Sequence, residues 1–156
     1  MKLHLGCGNI IIPGWHNVDI LGDVDERADL RVIPWPWPDN SADEILMHHV
    51  LEHLPDTYAV MGEVCRVLRK GGQFRGQVPY GFSEPAMFHP QHCRLFIDSS
   101  FVTLADHFNL RLVRAELVSL NSTTKHKLRN LIPFRRTLRR FIPNMYDVVN
   151  FELIKP

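Results

Sequence analysis

A short apolar run at residues 3–5 breaks at Gly6-Cys7-Gly8, and the next alternating apolar stretch, Asn17-Val18-Asp19-Ile20, begins only nine positions after Gly8. Taken as two strands, they leave a connection of about ten residues, the lower limit for joining parallel neighbours. The first crossover is therefore a turn with little or no helix. In an open α/β sheet, ligands bind outside the carboxyl ends of the strands, where a glycine turn lets backbone approach them without a Cβ in the way. An acidic residue ending the second strand can accept from ribose hydroxyls. Gly6, Gly8 and Asp19 have these properties, although a tight structural turn beside a solvated carboxylate uses the same residues.

The rest of the chain alternates strand and helix signals. Residues 28–32 read as a third strand, 44–48 as a buried fourth and 73–78 as a fifth. Between the last two, Asp56 or Thr57 can cap a helix carrying Val60, Val64, Val67 and Leu68 on one face, stopped by Gly71-Gly72. A second helix, capped by Asp98 or Ser99, places Phe101, Leu104, Ala105 and Phe108 at i, i+3, i+4, i+7, with Asn109 as a left-handed end. Strands at 110–117 and 146–153 follow. The pattern predicts an α/β domain with a mostly parallel sheet, and the final pair, with no helix-sized apolar pattern between them, leaves antiparallel geometry open.

The 156 residues suit one domain, and no apolar run approaches the roughly 20 residues of a membrane-spanning helix. Three widely spaced cysteines, Cys7, Cys65 and Cys93, with no basic and then apolar leader, favour a reducing, cytoplasmic setting over a disulfide scaffold. The net charge is only +1, but Lys125, Lys127, Arg129, Arg135, Arg136, Arg139 and Arg140 gather with no carboxylate between Asn121 and Pro143. The 118–145 connection that holds them is far longer than a hairpin loop of about 2–5 residues. It reads as an insertion.

A nicotinamide dinucleotide site is disfavoured, because Ile11 stands where G-x-G-x-x-G needs its third glycine and Asp19 comes too early for the ribose acid. The succession KLHLGCGNIIIPGWHNVDI, IPWPWPDNSADEILMHHVLEHL and EVCRVLRKGGQFRGQVP instead resembles the ordered motifs of class I S-adenosylmethionine-dependent methyltransferases. It is closest to the small branch whose first motif runs L-x-L-G-C-G into P-G-W-x-N-V-D. The resemblance covers residues 2–79 and implies a Rossmann-like fold with an antiparallel last strand and S-adenosyl-L-methionine as cofactor. It implies that Gly6 and Gly8 lie against the methionine part, that Asp19 holds the ribose, that Asp29 and Leu30 meet the adenine, and that His48 borders the methionine moiety. Surface or structural roles remain open for Asp29 and His48, and a structural role is the leading one for Glu52. Such enzymes usually carry a helix ahead of the first strand, so this chain's cofactor cleft is expected to be partly open or completed by another subunit.

On the acceptor side, His92 and Arg94 lie in a stretch after the fifth strand where related enzymes place an H-x-R-x-F-like loop. His48, His49, His53, His89 and His92 are candidate bases by type, since histidine titrates near pH 7. His89, His92 and Cys93 are ligand types, but no second Cys/His pair completes a closed zinc site, so no metal is expected. If the fifth and sixth strands run parallel, the basic insertion reaches over the acceptor site. That points to a small acceptor, anionic if those arginines face it, such as a nucleotide-linked sugar. A nucleic acid or membrane surface bound through residues 125–140, or a solvated basic segment, remains open, as does a homodimer. The rival functions are a non-catalytic module that binds the cofactor or its product, and a nicotinamide-dependent oxidoreductase.

Overall fold

The computed structural model of the chain describes residues 1–120, 132–139 and 141–156. The candidate residues Lys125, Lys127, Arg129 and Arg140 of the basic segment lie outside the described residues. The strands are β1 (Lys2–Leu5), β2 (His16–Asp19), β3 (Glu26–Arg27), β4 (Ala42–His48), β5 (Leu68–Pro79), β6 (Arg111–Val118) and β7 (Val148–Ile154). They form one sheet in the order β3-β2-β1-β4-β5-β7-β6. All neighbours from β3 to β5 are parallel, and β7 runs antiparallel to both β5 and β6. The α/β fold with an antiparallel last strand is thus the one expected, with β7 inserted between β5 and β6.

The helices are α1 (Thr57–Val67), α2 (Glu84–Phe88), α3 (Asp98–His107) and α4 (Arg135–Leu138), and a 3-10 turn spans Leu51–His53. In β1, Leu3, His4 and Leu5 are all buried, as suits a parallel strand with neighbours on both sides. Asp56 caps α1 by accepting from the Ala59 amide at 2.9 Å. One apolar cluster joins β1, β4, α1, β5, α3 and β7, with Phe101 stacked on Phe151 and Phe74 meeting Phe151 edge-to-face.

Two expectations shift. Residues 28–32 are not a strand, because the Asp29 carboxylate accepts from the Arg31 amide at 3.0 Å and the Asp29 carbonyl from the Val32 amide at 3.0 Å, which closes a turn. The third strand falls two residues earlier, at Glu26–Arg27, paired with Val18 and Asp19. Helix α1 stops at Val67, ahead of Gly71-Gly72, because the Lys155 ammonium donates to the Cys65 and Leu68 carbonyls at 2.7 Å each and so caps the helix end. The glycines form a bulge in β5, with Gly71 at φ +76°. Helix α2 and the 3-10 turn were not anticipated. Residue Asn109 does take the left-handed end of α3, at φ +51°. The cysteines are free thiols, and no helix among the described residues is long and apolar enough to cross a membrane.

The crossover from β1 to β2 contains no helix, so its backbone groups need other partners. Buried Asn17 supplies them. Its Oδ1 accepts from the Ile12 amide at 2.9 Å and from His4 Nδ1 at 3.2 Å, and its Nδ2 donates to the carbonyls of Ile12 and Trp15 and to Asp25. Replacing Asn17 by Ala strands several of these groups and is expected to destabilise the chain by about 2–3 kcal/mol, read from urea unfolding. A change under about 0.5 kcal/mol, the level of an ordinary surface substitution, would contradict this account of the crossover.

Candidate active site

The carboxyl ends of β1 and β2 meet at Asp19. Its Oδ2 accepts from the Gly8 amide at 2.8 Å, and its Oδ1 accepts from the amides of Ile20 at 2.7 Å and Leu21 at 3.2 Å. The Cys7 amide donates to the Val18 carbonyl at 3.1 Å, so the glycine turn is stitched to β2 on both sides of the carboxylate. Gly6 and Gly8 both have positive φ, +66° and +55°. A Cβ on Gly6 would lie 2.4 Å from Val50 Cγ2, whereas one on Gly8 would face open space. Only glycine fits the first position, and at the second it permits the turn without strain.

A cleft of about 630 Å³ opens at this edge, within the range of ligand pockets. Gly6, Asp19, Asp29 and Leu30 line it, together with Ile20, Ala28 and Arg31 from the β2–β3 region. His49, Val50, His53 and Leu54, which follow β4, form the opposite wall with Gln91 and Cys93. Leu30 is buried, and its carbonyl accepts from Trp35 Nε1 at 3.1 Å. That tryptophan is fixed by buried Glu63, whose Oε2 accepts from the Trp35 amide at 2.6 Å, and by Arg66, which bonds the Trp35 carbonyl. The apolar side of the cleft is therefore braced from α1.

The Asp29 carboxylate is held by Arg31, whose Nε and Nη2 donate at 2.8 and 2.7 Å, and this pairing keeps its pKa down at about 2. His49 takes a left-handed backbone at φ +55°, shares a 2.9 Å hydrogen bond between Nε2 and Gln77, and lies 3.3 Å from Glu52 through Nδ1. The neighbouring Glu52 carboxylate raises its pKa above the ordinary histidine value.

The remaining sequence candidates fall outside the lining. Exposed His48 ends β4, while its neighbour His49 faces the cleft. His92 stands behind the wall, its ring 4.8 Å from that of His53. Arg94 donates to the Pro55 carbonyl and lines a separate cavity of about 360 Å³ with Tyr58, Phe96 and Leu104. The residues that follow β4 were locatable in principle, since ligand sites lie beyond strand ends. Arg31, Gln91 and Cys93 carried no comparable signal, because tertiary folding alone brings their loops to this edge.

A family model described as a methyltransferase domain matches residues 23–75. No curated protein sequence matches the chain. Among solved structures, the chain is similar to an S-adenosylmethionine-dependent methyltransferase from Archaeoglobus fulgidus, with a TM-score of 0.72 and 16% identity over 99% of this chain and 85% of the other. Against the [4+2]-cyclase SpnF the TM-score is 0.68 at 14% identity, covering 99% and 74%. Phosphoethanolamine N-methyltransferase 2 of Haemonchus contortus, solved in complex with S-adenosyl-L-methionine, gives 0.64 at 14% identity, covering 99% of this chain and 48% of that one.

The contact between Gly6 and Val50 yields a direct test. Gly6→Ala combines a left-handed backbone with an overpacked contact and is expected to cost about 2–3 kcal/mol. In the double variant with Val50→Ala, the loss should fall short of the sum of the single losses by about 1 kcal/mol. Strict additivity in chemical denaturation would show that Val50 is not what excludes a side chain there.

Proposed function

We propose that the chain is a class I S-adenosylmethionine-dependent methyltransferase, a reading supported by the methyltransferase-domain model that matches residues 23–75 and by the fold, that its cleft binds S-adenosyl-L-methionine, and that the methyl group passes to a small-molecule acceptor. The observation that carries the reading is Asp19. A carboxylate has about four acceptor sites, and the Gly8, Ile20 and Leu21 amides occupy three. One position on Oδ2 is left for a ribose hydroxyl at the cleft wall. Gly6 and Gly8 supply side-chain-free backbone beside it, and Leu30 supplies an apolar surface for adenine. Asp29 reaches the adenine amine when Arg31 gives up one of its bonds. His48, beyond the wall, meets the methionine end less directly than His49.

When bound, S-adenosyl-L-methionine supplies a methyl group already activated by its sulfonium for in-line displacement, so the work left to the protein is positioning. His49 and His53 border the acceptor side, and His92 supports them from behind. Arg94 takes an acceptor-side role only if its bond to Pro55 is released.

An anionic acceptor is the finer reading. Arg135 donates to Ser119 and to the Met145 carbonyl and sits over the Tyr146 ring, Arg139 pairs with Asp98 at 2.8 Å, and no described residue of 132–145 lines the cleft. An anion would therefore draw on Arg31 and His49. A nucleic acid or membrane surface would instead be met through the rest of the basic segment, which includes exposed Arg136 together with Lys125, Lys127, Arg129 and Arg140. Fold alone does not fix the chemistry, and the likeness to a cyclase makes methyl transfer itself the step to test.

Incubation with methyl-labelled cofactor and a small-molecule library, followed by mass spectrometry, is expected to show label in an acceptor. Cofactor binding without turnover of any acceptor would favour a binding module, and binding of NAD in place of S-adenosylhomocysteine would favour an oxidoreductase. Asp19→Ala should weaken S-adenosylhomocysteine by about 1.5–3 kcal/mol in calorimetry, the range for a hydrogen bond to a charged group. Unchanged affinity would remove Asp19 from the site.

A further inference from the structure

Glu52, in the 3-10 turn after β4, is 1% exposed, and neither carboxylate oxygen has an aligned hydrogen-bond donor among the described residues. The closest titratable nitrogen, His49 Nδ1, is 3.3 Å from Oε1. A carboxylate so far from water needs compensation. Two further imidazoles stand beside it, and ligand atoms of Glu52, His53 and His92 all lie within 4.8 Å of one another.

The orientation of the two rings is set by backbone. His53 Nδ1 is 3.2 Å from the Gln91 carbonyl and His92 Nδ1 is 3.3 Å from the Ala86 carbonyl. Each contact requires the Nδ1 proton, which leaves the Nε2 lone pair free, and a carbonyl partner for the far ring nitrogen is how metal-bound imidazoles are held. The loop that brings His92 here is itself pinned to Glu52, whose carbonyl accepts from the Cys93 amide at 2.8 Å and the Arg94 amide at 3.3 Å. His89 stacks on His92 at 4.3 Å and supports the ring from outside.

We propose that Glu52, His53 and His92 bind a divalent first-row transition metal of the zinc type. Two imidazoles and one carboxylate are a donor set of open zinc sites, which keep a coordination position for water or substrate. Ligands about 2.0–2.2 Å from a tetrahedral metal stand about 3.3–3.6 Å apart, so small side-chain rotations close the present spacing. His53 also lines the cleft, which places the site on its wall. The sequence reading expected no metal, and the ligand set differs from the His89, His92 and Cys93 ligand types weighed there. There, His89 is exposed, and Cys93 Sγ lies 3.6 Å from the His53 carbonyl and 3.7 Å from that of Gln91.

The test is zinc binding, so its failure leaves the methyl-transfer reading standing, and loss of that reading leaves the metal site testable. Chelator-treated full-length chain is titrated with zinc in calorimetry, with cobalt absorption as a second readout. One zinc per chain is expected, weakened at least about tenfold in both His53→Ala and His92→Ala, and retained in His89→Ala and Cys93→Ser. Glu52→Gln should also lose zinc. If that buried variant fails to fold, the two histidine variants, checked for native circular dichroism, carry the test. No saturable binding, or binding that survives loss of either His53 or His92, overturns the proposal.

Discussion

Two parallel strands joined by about ten residues leave no room for the helix that normally covers such a crossover, and side chains of β2 take over its task. Asn17 and Asp19, two apart and so on one face of the strand, bind the crossover backbone from inside and from its rim. Asn17 is 2% exposed and satisfies both of its amide functions. The position of the Gly6-Cys7-Gly8 turn, and with it the floor of the cleft, follows from these two residues. An unmet buried polar group costs about 1–3 kcal/mol, so a crossover with neither side chain would be hard to hold in place.

The other walls depend on longer connections. Glu63 and Arg66 on α1 hold the Trp35–Trp37 segment, Trp35 holds the Leu30 carbonyl, and Leu30 faces the cleft. Across from it, the turn after β4 carries His49 and His53, and the Glu52 carbonyl draws in the loop that carries His92. The cleft thus joins one wall built on apolar burial to another rich in imidazole.

Much of this was legible in the sequence because the relevant signals are local. Gly6, Gly8 and Asp19 sit at strand ends marked by apolar alternation, and α1 and α3 follow from their periodicity. The third strand was misplaced because Ala28, Leu30 and Val32 alternate like a strand, while the turn imposed by Asp29 and Arg31 breaks them up. The end of α1 was misjudged because the residue that caps it, Lys155, comes from the last strand. Arg94, an acceptor-side candidate from its motif, donates to the Pro55 carbonyl, a tertiary contact that no local sequence signal announces. The grouping of Glu52, His53 and His92 had no sequence spacing to reveal it, since it forms only when the loop after β5 folds back over β4.

The central claim is that the edge where β1 meets β2 is a binding site for an adenosyl group. A crystal structure of the chain grown with S-adenosylhomocysteine tests it most directly. The account predicts a ribose hydroxyl within hydrogen-bond distance of Asp19 Oδ2 and an adenine ring packed on Leu30. An adenosyl group bound elsewhere, or an empty cleft at saturating ligand, would contradict it.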